Sequence, residues 1–402
     1  MPGPLSGFRV LDLSAVVSGP LCGALLADQG ADVIKVERLT GDIQRHVGSQ
    51  RQGFSGFFHV LNRGKQSIAL DLGNPRGQEI VRQLAQDADV VIQNFRPGVV
   101  DRLGIDYQRL SENNPGLVYL SISGFGQGGP RAGDRAYDPI IQAHSGIADV
   151  QGRIHDDARQ TPEQVNMLLL DKLTAHTGCQ AVTAALLARS KSGSGQEIEL
   201  AMLDTAIAFC WSDVAANLIL QPADDPDILH RPPIGASGHV AQYNDGWGAI
   251  MTLTDAEFHG MCKAYDLPEL AADPRFSTLG ERMNHREEYR EALLTIVSAA
   301  ASKLSLDEAE ERLIDAQVPF ARVQKLAELA QDPQVMHNAV FRDLQHPIAG
   351  HLREARPAAL FSNTPNEPSA PAPDIGQHTR TVLASIGRAG EFDELRKEGI
   401  VL

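Results

Sequence analysis

Over the first two hundred residues, short apolar runs alternate with segments whose apolar positions recur every three to four residues. Val10-Leu11-Asp12-Leu13, Val33 to Glu37, Ser67 to Leu70, Val90 to Gln93, Val118 to Ile122 and Glu197 to Leu200 are the runs. Their length and their bounding Gly, Pro, Asn and Asp residues predict buried strands. Residues 21–28, 75–87 and 98–103 carry helical spacing between them, and an Ala-rich helix is predicted over 172–190. Another buried helix is predicted over 203–220 before Pro222-Ala223-Asp224-Asp225-Pro226 breaks the pattern. A loop through Arg231-Pro232-Pro233 follows, then a hairpin whose turn is Asn244-Asp245-Gly246. Helical stretches near 255–265, 284–302 and 306–316, Pro-rich loops at 364–373 and a short helix at 379–387 complete the chain.

Strands alternating with helices predict an α/β fold with a doubly wound, Rossmann-like sheet. The expected division is a large domain over 1–220, a smaller α+β domain over 228–325, and a segment 330–402 that the pattern itself does not place. The opening βαβ unit, 5–37, turns at Ser18-Gly19-Pro20 and lacks the G-x-G-x-x-G of dinucleotide sites. It therefore points toward a nucleotide-bearing ligand other than NAD. Gly124-x-Gly126-x-x-Gly129 matches that expression literally, but Pro130 and a polar loop follow where a helix is required. It reads as a loop over the active site.

Charge narrows the partners. The 402 residues carry a formal net charge of −15, which argues against nucleic acid and anionic membranes. Residues 1–138 are balanced, with 14 basic and 14 acidic side chains, so the excess lies entirely in the remainder. An anionic ligand of the first half would be held by local Arg and Lys. No run of about eighteen uncharged apolar residues is present. The opening MPGPLSGFRV does not read as a leader, and the four separated cysteines read as reduced thiols, so a cytoplasmic location is expected.

Asp171 follows the apolar run 167–170 and opens the Ala-rich helix, where free amides and the helix dipole would hold a carboxylate ionised. The same placement suits an ordinary helix cap. Arg38 follows the second strand, at the end that borders the ligand crevice in open α/β sheets, or else is a solvated loop arginine. No H-E-x-x-H and no G-x-S-x-G occurs, His155-Asp156-Asp157 reads as a solvated loop, and His176 lies off the face of Asp171. No metal site is expected.

The chain resembles the family III CoA-transferases, the group named after carnitine and bile-acid CoA-transferases. Four ordered segments carry the resemblance: 5–37, Asn62-Arg63-Gly64-Lys65-Gln66-Ser67-Ile68-Ala69-Leu70-Asp71-Leu72, Ala88 to Gly98, and Ile122 to Pro130. The resemblance implies that Asp171 is the nucleophile, forming an aspartyl-CoA thioester. It implies that CoA phosphates meet Arg38 and Arg102, and that Val16 and Val17 bind CoA through backbone. It implies further contacts from Leu70, Asp71, Leu72, Gly73, Asn94, Phe95, Arg96, Arg135, Ala136, Tyr137 and Asp138. Gly73 stands where some relatives carry a lysine, so Lys65, Arg63 and Arg96 are candidate substitutes. Acyl-CoA and a carboxylic acid are the implied substrates, with no further cofactor. The implied assembly is an interlocked homodimer in which 330–402 returns to the large domain. A related α-methylacyl-CoA racemase would need histidine where Tyr137-Asp138 stands, and a non-catalytic acyl-CoA-binding protein is the other alternative. Ile234-Gly235-Ala236-Ser237-Gly238 is less glycine-rich than the comparable loop of oxalate-type relatives.

Overall fold

The computed structural model describes residues 3–154, 160–213, 218–222, 224–228, 238–365 and 370–402. Its chain divides into two compact units, Met1–Phe209 with Asn338–Leu402, and Cys210–His337. The segment expected as the smaller domain, 228–325, lies inside the second.

The first unit is built on six parallel strands: β1 (Arg9–Asp12), β2 (Asp32–Glu37), β3 (Lys65–Ala69), β4 (Val90–Gln93), β5 (Val118–Ser123) and β6 (Gln196–Ala201). Their order across the sheet is β6-β5-β4-β1-β2-β3, every neighbour parallel. The order runs outward one way from β1 and the other way from β4, which makes the gap between their C-terminal ends the switch point where such sheets bind ligands.

Both faces are covered, which is why these strands are near-continuously apolar. Val10, Val33, Val90, Ile92 and Leu120 face α1 (Ser18–Asp28) and α4 (Leu169–Ser192), meeting Cys22, Leu26, Cys179 and Val182. Leu11, Ile34, Ile68 and Val91 face the other way, toward Ile80 and Leu84 of α2 (Pro75–Gln86). Leu383, Leu395, Ile400 and Val401 of the C-terminal segment are buried in that same layer. Each such side chain contributes roughly 1.5–3 kcal/mol on leaving water. The tail is further pinned where Asp71 N–H donates to Ile400 O at 2.9 Å.

The second unit has its own core around Tyr243, Phe258, Met261, Phe276 and Leu313. Three antiparallel strands, Gly238–Gln242, Trp247–Met251 and Phe320–Arg322, form its sheet.

Local pattern misplaced several boundaries. The helix expected over 203–220 spans Met202–Trp211. The expected 284–302 helix is Arg286–Ala292, a π-helical Leu293–Val297 and Ser298–Ala301. The hairpin Phe341–His346 with Gly350–Ala355 and the helix Phe392–Lys397 carry no periodic signal that singled them out. Arg231-Pro232-Pro233, residues 234–237 and His155-Asp156-Asp157 lie outside the described residues.

Candidate active site

The C-terminal ends of β1 to β5 border one cavity of about 1100 Å³. Its wall brings together most of the residues singled out from sequence: Val16, Arg38, Leu70, Asp71, Leu72, Gly73, Asn94, Phe95, Arg96, Arg135, Ala136, Tyr137 and Asp171. Three do not border it. Val17 is buried as the residue preceding α1. Arg102 is exposed on Val99–Leu103, its guanidinium beside Gly98. Asp138 is 1% exposed behind the wall.

Asp171 sits at the third position of α4, not at its cap, and is 8% exposed. The first amides of a helix lack intrahelical partners, and here a neighbouring helix supplies one. Asp138 opens α3 (Asp138–His144), and its Oδ2 accepts the Asp171 backbone N–H at 2.9 Å. Asp138 Oδ1 accepts from Gln142 Nε2 at 2.6 Å. Gln142 Oε1 in turn accepts Val165 N–H at 2.9 Å. The chain entering α4 is therefore stitched to α3 side chain by side chain.

Helix amides do not hold the Asp171 carboxyl low. Burial, and after it the negative charge of Asp138, push its carboxyl up to about 6. Hydrogen bonds from the Ser18 hydroxyl and backbone N–H pull the other way but do not prevail. At neutral pH the group is still mainly a carboxylate, and more basic than a solvated one, which suits a nucleophile.

Arg38, Arg96 and Arg135 are exposed, border the cavity and make no ion pair among the described residues. Three uncommitted guanidiniums in one crevice are suited to phosphate and carboxylate oxygens. Lys65 and Arg63 are not available for that purpose. Lys65 is 2% exposed and donates to Asp12 Oδ2 at 2.7 Å, and Arg63 pairs with Asp28. Of the glycine segment Gly124 to Gly129, only Gly124 borders the cavity. A Cβ there would stand 2.2 Å from that of Ala136, so glycine at 124 lets the 135–137 segment close on the strand end.

The turn from β1 into α1 is strained. Val16 has φ +73°, a conformation that costs a β-branched residue about 1–3 kcal/mol. Its surroundings hold it there. Ala15 N–H and O are clamped by the Asn94 side chain at 2.9 and 2.7 Å. Val16 N–H donates to Asp42 at 3.3 Å, and Asp42 pairs with Lys35 at 3.2 Å, both nearly inaccessible.

Ser18, Lys35 and Asp42 were missed from sequence. Lys35 did leave a signal: a lysine inside the apolar run of a strand that is buried on both faces. Asp42 and Ser18 left none, because their partners are brought in only by the sheet. No group of three or more His, Cys, Asp or Glu among the described residues is placed to hold a metal, and no described helix is long and apolar enough to cross a membrane.

Comparison with known proteins places this geometry in context. CoA-transferase family III matches residues 5–379. A succinate–glutarate CoA-transferase of Agrobacterium fabrum is 34% identical over 95% of this chain and 96% of its own. A succinyl-CoA:glutarate CoA-transferase of Mus musculus is 32% identical over 99% and 90%. The crystal structure of a CAIB/BAIF family protein from Brucella suis superposes with a TM-score of 0.81 at 30% identity, covering 96% of this chain and all of that one.

Proposed function

We propose, from the premise that this chain belongs to CoA-transferase family III and is a CoA-transferase, that Asp171 carries CoA between two dicarboxylic acids as an aspartyl thioester. One observation carries the reading: a buried carboxylate, raised to about 6, stands in the same cavity as Arg38, Arg96 and Arg135. The two relatives are named for succinate or succinyl-CoA and glutarate, both dicarboxylates, which supports that substrate class.

The Asp171 oxygen attacks the thioester carbonyl, the C–S bond breaks, and CoA leaves as thiolate from a mixed anhydride. The thiolate then attacks the aspartyl carbonyl carbon and releases the donor acid. The acceptor carboxylate attacks the resulting aspartyl-CoA thioester, again expelling thiolate. That thiolate takes the acceptor acyl carbon and returns Asp171 as a free carboxylate. A hard exchange thus becomes four steps of similar energy. Ser18, which shares the cavity wall with Asp171 and favours its charged form, is placed to stabilise charge on that group as it changes. The arginines bind the phosphates of CoA and the distal carboxylate of the acid.

The sheet is read as Rossmann-like in its use of the switch point, and the working form as a cytoplasmic homodimer, following the family resemblance. The deciding experiment incubates the protein with pairs of acyl-CoA and dicarboxylic acid and follows CoA exchange by mass spectrometry. Exchange with succinyl-CoA and glutarate is expected. Exchange only with monocarboxylic acids would sink the substrate class, and a thioester-free Asp171 peptide from the quenched reaction would sink the covalent step.

A further inference from the structure

We propose that the buried Lys35–Asp42 ion pair is a positioning device for transfer: it holds Val16 in its left-handed conformation so that the start of α1 meets Asp171. Three independent features converge on it. Val16 is the strained residue of the turn, with φ +73° on a β-branched side chain. Such outliers persist only where the surroundings over-determine them, and they gather at functional sites. The turn borders the cavity, and two residues later Ser18 lines the same cavity as Asp171 and favours its charged form.

Two buried charges do the holding. Asp42 accepts Val16 N–H at 3.3 Å and Gln44 N–H at 3.1 Å, while its own N–H is fixed by Glu37 Oε2 at 3.1 Å. Lys35 Nζ spans the turn, contacting Asp42 at 3.2 Å and donating to Ser14 O at 3.0 Å. Lys35 and Asp42 belong to strand β2 and the segment just beyond it, so the neighbouring strand dictates the conformation of the turn after β1. A buried ion pair is weak support for stability in itself, since desolvation offsets the attraction. Its expense is accounted for if it fixes a backbone geometry that the local sequence resists.

The inference rests on the cavity being the transfer site, and the test separates the two. Glycine adopts a left-handed φ without strain whereas alanine does not. If the pair exists to hold Val16, Asp42→Asn should lower kcat/KM for the acyl-CoA about 10- to 100-fold with the fold retained. Adding Val16→Gly should restore about fivefold or more, and Val16→Ala should not. If Asp42→Asn alone does not fold, the two double variants are compared directly, and the glycine form must be the active one. Equal behaviour of the glycine and alanine forms, failure of both to fold, or an Asp42→Asn variant as active as the unaltered protein overturns the proposal. Asp171→Asn is the control: persistence of transfer there would refute the assignment of the site and not the role of the pair.

Discussion

Asp138 Oδ2 accepts the backbone N–H of Asp171 at 2.9 Å, so a second carboxylate is fixed beside the candidate nucleophile without touching the cavity. One contact does two things. It caps a buried amide in the first turn of α4, and it places negative charge where it raises the basicity of Asp171. Burial is the larger contribution and Asp138 the second.

Transfer should therefore fall away as pH drops through about 6, where Asp171 takes up its proton. Asp138→Asn keeps an oxygen to accept the Asp171 N–H but removes the charge. Its acid limb should move to lower pH, because a carboxylate without a negative neighbour ionises more readily. A pH profile of kcat for both proteins measures this, and an unmoved limb would show that the limb belongs to another group.

Asp171→Asn should abolish transfer, about a 10³-fold loss or more if the covalent path is removed. It should also stabilise the fold. A carboxyl raised from 3.8 to about 6 binds its proton more tightly folded than unfolded. Stability therefore declines as pH rises through about 4 to 6, and the penalty persists above that window. At pH 7.5 the asparagine form avoids that penalty, a gain on the order of 1–3 kcal/mol. Thermal melts at pH 4 and 7.5 check the sign: the two proteins should differ at the higher pH and converge at the lower.

Arg38 and Arg102 should separate. Arg38 borders the cavity and Arg102 does not. Arg38→Ala should raise KM for CoA esters by about 10- to 100-fold, the loss of one charge-assisted contact of roughly 1.5–3 kcal/mol. Arg102→Ala should have a smaller effect. Initial-rate kinetics with a single acyl-CoA decide the order, and a larger KM effect at Arg102 would mean that the phosphates extend beyond the cavity.

The reaction class turns on Tyr137, which is 62% exposed at the cavity edge. A racemase must remove an α-proton from one face and return one to the other, which requires two acid–base groups at that carbon. A phenol is a poor substitute for an imidazole near neutral pH. No deuterium should enter the α-carbon of a 2-methylacyl-CoA in deuterium oxide without an acceptor acid. Rapid incorporation that Asp171→Asn abolishes would favour racemisation.

Gly19, one residue past Ser18, adds a steric test of the turn. A Cβ on it would lie 2.3 Å from Ser14 Cβ and Oγ, so Gly19→Ala must displace the turn that Asn94 and Asp42 hold. Reduced affinity for acyl-CoA, read by calorimetry, is expected with the sheet core intact by circular dichroism.

By itself the sequence determined the period of the large unit, because a strand buried on both faces must be apolar throughout and the helices between must bury one stripe. Val90 to Gln93 and residues 75–86 are legible for that reason. It also determined that Asp171 lies in the first turn of a helix and that Arg38 follows a strand, since both positions follow from local pattern. Tertiary structure alone decided the electrostatics. Asp138 raises Asp171 from 33 residues away, and Lys35 and Asp42 hold Val16 from the neighbouring strand and the segment beyond it. It also withdrew Lys65 into an ion pair with Asp12, a partner 53 residues distant that nothing in its own segment announces. Periodicity records which residues leave water, and that is a local property of the chain. Which buried charges meet depends on how the strands are ordered, and no local pattern carries that information.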